Sequence, residues 1–173
     1  MCVIPPLRAL SGTANRGRVA KIHEMSLRIY RRRLPHWQLD GATYFVTWRL
    51  HRAQASLMPE AREERLDVLR HSDGQRFTLH VAVVMDDHVH LVVSLIGEER
   101  LEALVRNWKA CGAARLRRDG RVAPFWQREY HDRIIRSPSE LRVKIRYVLQ
   151  NPLRRWPGIR VYRWLYVKTS SGR

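Results

Sequence analysis

Leu79-His80-Val81-Ala82-Val83-Val84-Met85-Asp86-Asp87-His88-Val89-His90-Leu91-Val92-Val93-Ser94-Leu95 is the stretch whose reading decides the fold. Its β-branched, apolar run predicts two buried strands, over 77–84 and 88–95, joined by a tight acidic turn at Asp86-Asp87. Side chains alternate along a strand, so His88 and His90 project from one face. Val or Leu would be easier to bury there, and two imidazoles so spaced can grip one divalent ion. A bare His-x-His supports equally well a pair of strand-end histidines satisfied by hydrogen bonds.

Working outward, residues 42–50 are rich in β-branched and aromatic side chains and read as the first strand, after an Asp40-Gly41 turn. A helix is expected over 59–70, with Leu66 and Leu69 on one face, and Ser72-Asp73-Gly74 breaks it. Leu101, Leu104, Val105 and Trp108 follow the spacing of an amphipathic helix whose other face carries Arg106, Lys109, Arg115 and Arg117. Residues 130–136 form a candidate fourth strand. Ser137-Pro138-Ser139-Glu140 is a capping-box start for the last helix. Pro152 disfavours helical geometry at Asn151, which predicts an end near Gln150. The order strand, helix, strand, strand, helix, strand, helix predicts an α+β fold, a ferredoxin-like antiparallel sheet with helices on one face and an added C-terminal helix.

On that last helix Leu141, Ile145, Val148 and Leu149 cluster as the expected buried stripe, at about 100° per residue. Tyr147 falls roughly opposite, well over 100° away, and Asn151 lies one turn beyond it. Both then face an ion held by the histidine strand, unless Tyr147 is a surface tyrosine without a role.

The chain has 173 residues, which suits one domain with a real core. Its 33 basic against 16 acidic side chains give a formal charge of +17. Such an excess costs self-repulsion and makes sense when the partner is a polyanion, nucleic acid first. No apolar run reaches the length of a membrane-spanning helix, so no membrane partner is expected. Cys2 and Cys111 match neither a disulfide framework nor a zinc pattern, which fits a reducing interior. Met1 to Leu10 does not read as a secretory signal, so a cytoplasmic place is expected. Residues 1–27 show no sustained periodicity and are expected to form a disordered basic arm.

Several blocks, taken together, resemble one family. Met85-Asp86-Asp87-His88-Val89-His90-Leu91-Val92-Val93 resembles the His-hydrophobe-His motif of single-tyrosine HUH transposases, specifically the REP-associated tyrosine transposases of bacteria. Pro35-His36-Trp37, the run Gly41 to Thr47, Phe125 to Tyr130, Asp132-Arg133, Ile135-Arg136-Ser137 and Tyr147 to Asn151-Pro152 resemble further family blocks in the same order. The likeness spans roughly residues 28 to 152, leaving 153–173 as a basic C-terminal tail. Asp86-Asp87 departs from the Pro-Asn pair common in the family, and the residues after Pro152 do not follow its pattern.

The resemblance implies a fold of the same ferredoxin-like kind and a bacterial, nucleoid-associated protein. It implies that His88 and His90 hold Mg²⁺ or Mn²⁺, with Asn151, or alternatively Gln150, as a third ligand. It implies that Tyr147 attacks single-stranded or hairpin DNA of REP type, giving a 5′-phosphotyrosine and a free 3′-hydroxyl, in a monomer or homodimer. A phenol titrates near pH ~10 and must be helped to ionise. Arg31, Arg32, Arg33, Arg49, Arg106, Lys109, Arg128 and Arg133 are candidate phosphate contacts, and Trp37 is the stacking candidate. Trp48, Trp108, Trp126 and Tyr130 lie among the same cations, with Trp108 expected in the core. The alternatives are a non-catalytic module of this fold that binds structured DNA or RNA, and a metal nuclease that uses water.

Overall fold

The computed structural model describes residues 27–31, 35–39 and 41–169. The expected basic arm over 1–26, and Arg32 and Arg33, lie outside the described residues. The elements are β1 (Leu27–Arg31), β2 (Pro35–Leu39), β3 (Thr43–Arg49), α1 (Pro59–Arg70), β4 (Phe77–Val84), β5 (His88–Leu95), α2 (Leu101–Arg118), β6 (His131–Ile135), α3 (Pro138–Arg155) and β7 (Leu165–Val167). β1 and β2 pair antiparallel as a separate two-stranded sheet, which the periodicity of the sequence does not announce. Leu27, placed in the arm by sequence, therefore opens a strand.

The main sheet is antiparallel and five-stranded, in the order β6-β3-β5-β4-β7. Without β7 this is the ββ-crossover order of a ferredoxin-like α+β fold, with β3-α1-β4 and β5-α2-β6 as its two halves. The fold class expected from the sequence is the one observed.

Strand alternation sorts the sheet into two faces. Tyr44, Val46 and Trp48 of β3 and Val89, Leu91 and Val93 of β5 meet Leu66 and Leu69 of α1 and Leu104, Trp108 and Leu116 of α2 in the larger core. Trp108 stacks on Trp48 with centroids 6.1 Å apart and meets the edge of Phe77 at 5.3 Å. The opposite face is covered by α3: Val148, Leu141, Ile145 and Leu149 pack on Val81, Val83, Met85 and Val92. A register shift between Leu79 and Val81 is what lets β4 serve both cores, since it carries Leu79 and Ala82 to one face and Val81 and Val83 to the other.

Three features of the chain depart from the sequence expectations. α3 does not stop at Gln150 but continues through Pro152 to Arg155. Pro152 is buried and accepts the Trp156 N–H at 2.8 Å, so packing and the next turn's bond hold a helix that local preference would end. The expected tail over 153–173 contributes the last helical turn and then β7, whose Tyr166 and Lys168 reach Asp73. Cys111, on α2, is not a free thiol.

One contact in the larger core tests the packing. Arg65 is 2% exposed, donates Nη1 to the Trp108 carbonyl at 2.7 Å, and lies 5.3 Å from the Trp126 ring centroid. Burial lowers its pKa to about 10. Gly112 leaves the space this guanidinium fills, for a Cβ there would run into Arg65 Nη2 and Cζ. Gly112→Ala should lower the unfolding free energy by about 1–3 kcal/mol in a urea titration, the cost of overpacking; an unchanged midpoint would show that Arg65 relaxes freely.

Candidate active site

The two histidines sit on the face of β5 that α3 covers, and both are buried. In the antiparallel register Thr47 of β3 stands opposite His90, and Arg49 opposite His88. Cross-strand partners share a face, and Thr47 Oγ1 lies 2.6 Å from His90 Nδ1. Asp87 Oδ1 makes a short contact with His88 Nδ1. An ionised carboxylate only accepts, so His88 Nδ1 carries a proton, which leaves Nε2 as the ring's only candidate ligand atom. Thr47 can hold His90 in the same tautomer by accepting from Nδ1.

α3 brings its polar flank to these rings. Asn151 is buried, with Oδ1 3.2 Å from His88 Nε2. The Tyr147 ring meets His90 edge-on with centroids 5.3 Å apart, and Phe45 completes the cluster by stacking on His90 at 5.5 Å. Phe45 also meets Tyr147 edge-on at 5.7 Å. The helical wheel had set Tyr147 opposite the buried stripe, yet it lies partly buried on the packed face. The stripe was drawn from apolar residues alone, whereas the face turned to the sheet is centred between Val148 and Asn151, because the sheet offers imidazoles there. The alternative ligand, Gln150, is exposed on another side of the helix.

Cations surround the phenol. Arg154 Cζ stands 4.9 Å from the Tyr147 centroid, and Lys144 Nζ stands 4.8 Å from that of Phe45. The acidic turn is neutralised from both sides: Arg155 pairs with Asp86 at 2.9 Å, and Arg49 with Asp87 at 3.1 Å. Burial opposes the Asp87 charge, but the His88 hydrogen bond, Arg49 and Arg155 hold its pKa below the usual carboxylate range. Burial, then the nearby His88 and Arg49, push the His90 pKa down to about 3, so His90 is neutral at ordinary pH.

Among the described residues no three His, Cys, Asp or Glu side chains converge, so an amide oxygen is the third donor at hand. The donor set fits a small divalent cation. The Nδ1 atoms of both imidazoles are engaged, which orients their Nε2 atoms as ligands. Asn151 Oδ1 only accepts, so the contact is a hydrogen bond when His88 Nε2 carries a proton; in a neutral ring protonated on Nδ1, the two atoms would instead offer lone pairs to a cation. Their 3.2 Å separation is close to the ~3 Å between neighbouring ligands on an octahedral ion with bonds of about 2.1 Å.

The other candidate residues lie elsewhere. Arg31 is on β1 and Trp37 on β2. Arg106 and Lys109 are on α2, on the sheet face away from the histidines, where they line a notch of about 150 Å³ with Arg128. Lys109 donates to the Gln127 and Arg128 carbonyls, and Arg133 pairs with Glu140 at 2.7 Å. Of the aromatics set among these cations, Trp48, Trp108, Trp126 and Tyr130 are all core residues. Thr47, Phe45, Lys144 and Arg154 escape a sequence reading. Thr47 depends on the β3–β5 register, but Lys144 and Arg154, three before and seven after Tyr147, could have been found from helical spacing.

No family model matches this chain, and no curated protein matches it. Among solved structures, a REP-associated tyrosine transposase bound to a REP hairpin is similar, with a TM-score of 0.58 and 20% identity over 73% of each chain. A protein from Deinococcus radiodurans R1, provisionally described as a transposase, matches with a TM-score of 0.46 and 20% identity over 63% of this chain and 88% of its own. The first similarity extends the fold assignment made from topology.

The buried neutral His90 has a measurable consequence. Its folded pKa lies below the ordinary histidine value of ~6.5, so the unfolded chain binds the extra proton first. Its contribution to stability is full above pH ~6.5 and is lost as pH falls toward about 3. In chelator, urea midpoints should fall across that window, and His90→Asn should flatten the slope. Equal slopes in the two proteins would contradict the assignment.

Proposed function

We propose that this chain is a metal-dependent DNA strand transferase that cleaves single strands through Tyr147, on hairpin DNA of REP type. The observation that carries the reading is the meeting of a phenol, two imidazoles and an amide oxygen across the α3–β5 interface. The charge of +17 suits a polyanionic substrate. The fold is shared with a tyrosine transposase that was solved with a REP hairpin.

His88, His90 and Asn151 would hold Mg²⁺ or Mn²⁺. When bound, the ion supplies a Lewis acid for a phosphate oxygen. The Tyr147 oxygen attacks phosphorus and loses its proton, the bond from phosphorus to the 3′-oxygen breaks, and that oxygen gains a proton. The products are a 5′-phosphotyrosine and a free 3′-hydroxyl. Arg154, over the phenol ring, and Lys144, over Phe45, draw the phosphate toward the nucleophile. Attack by another 3′-hydroxyl on the phosphotyrosine reverses each bond change, so strands rejoin without ATP.

Two experiments test this. Full-length protein with Mn²⁺ and end-labelled single-stranded hairpin DNA should give a covalent adduct on denaturing gels, abolished by Tyr147→Phe and by chelator. An adduct that survives Tyr147→Phe removes the nucleophile; cleaved DNA with no adduct points to water as the attacking group; salt-sensitive binding without cleavage points to a binding module. Separately, Asp87→Ala and Thr47→Val should each weaken Mn²⁺ binding by about 10- to 100-fold in a calorimetric titration, because each frees an imidazole that it now orients. Unchanged Mn²⁺ affinity would remove His88 and His90 as ligands.

A further inference from the structure

Beyond the last turn of α3 the chain folds back as Trp156-Pro157-Gly158-Ile159-Arg160-Val161-Tyr162-Arg163-Trp164 and encloses a groove of about 570 Å³. Its walls are Trp156, Tyr162 and Trp164, with Ile159 and Val161 at the lip and Arg62 and Arg163 beside them. Trp156 and Tyr162 stack at 5.6 Å with ring planes 24° apart, and Tyr162 meets Trp164 edge-on at 5.2 Å. Arg62 covers Trp164 at 4.2 Å. Val161, an apolar side chain, is 78% exposed.

We propose that this groove holds an unpaired nucleobase of a bound strand, by stacking rather than by edge recognition. This rests on the nucleic-acid reading above, but not on the chemistry of Tyr147. Three observations favour a base over an apolar peptide. Between Leu153 and Lys168 the chain carries Arg154, Arg155, Arg160, Arg163 and Lys168 and no acidic residue, which complements a phosphate backbone. Aromatic faces interleaved with arginines are the surface that single strands use, since every base has a π-face and every nucleotide a charge. The volume lies within the range of pockets that take small aromatic ligands.

Position favours a base as well. Tyr162 Oη donates to the Val84 carbonyl at 2.8 Å, and Val84 N–H donates to the Trp164 carbonyl at 2.9 Å. The groove is thereby tied to the end of β4, at the turn that leads into His88. Along α3, Trp156 follows Asn151 by five residues, a rise of about 8 Å, which is on the order of one nucleotide step.

The test uses the full chain with Tyr147→Phe in chelator, so that no cleavage occurs. The probes are fluorescein-labelled single-stranded dA15 and an abasic 15-mer of the same charge. dA15 should bind about tenfold tighter than the abasic strand, the effect expected of one stacked base, and should quench tryptophan emission. Val161→Asp, at an exposed lip position that does not disturb folding, should remove most of that difference; Trp156→Phe should keep part of it. Equal binding of the two strands, or a Val161→Asp variant that retains the full preference, overturns the proposal and would leave a peptide as the better occupant. If the groove fails while the hairpin adduct still forms, only the groove assignment falls; if the adduct fails while the base preference persists, only the Tyr147 chemistry falls.

Discussion

The pairing of β3 with β5 is the constraint on which the rest depends. In this register the even-numbered positions of β5 face α3 and the odd-numbered ones face α1 and α2. A slip of one residue would turn the imidazoles into the larger core and carry Val89 and Leu91 to the α3 side. The large core makes that slip costly, because Trp48, Tyr44 and Val46 would lose their partners with it. Apolar packing on one side of the sheet thus fixes the aim of polar groups on the other.

This explains which parts could be read from the sequence. The period-two placement of His88 and His90 needs only local geometry, and the alternation of strand and helix signals suffices for the α+β sheet. Thr47 is not legible, because its partnership with His90 exists only once two strands 43 residues apart are in register. The helical wheel separates Tyr147 from the apolar stripe and turns it toward the histidines, but it hides that this flank is packed too, because such a stripe marks a helix's whole buried side only when its counterpart is apolar. Pro152 misled for a related reason, since local dihedral preference is a small term beside burial. β1 and β2 went unread because Arg31 to Arg33 and Pro35 interrupt a short alternation. The core aromatics went the other way: charge neighbours in sequence are not neighbours in space.

Charge around the site is arranged in layers. An acidic turn beside a site for a polyanion would repel it, yet Asp86 and Asp87 are both engaged by arginines, and Asp87 also by His88. Arg154 and Lys144 face the aromatic cluster, and Lys144 interacts with Glu140 one turn earlier on α3.

Pro152 has no N–H to offer the Val148 carbonyl, so α3 lacks one of its ties between the turn that carries Tyr147 and the turn that carries Arg155. Leu141, Ile145 and Val148 anchor the first part to the sheet, while Arg155 and Trp156 fasten the second to the strand-end turn and the returning chain. The rod is in effect two shafts sharing a joint. Tilting at that joint would change the angle of the far shaft and leave the near one seated, so the returning chain can shift without displacing Tyr147 from His90.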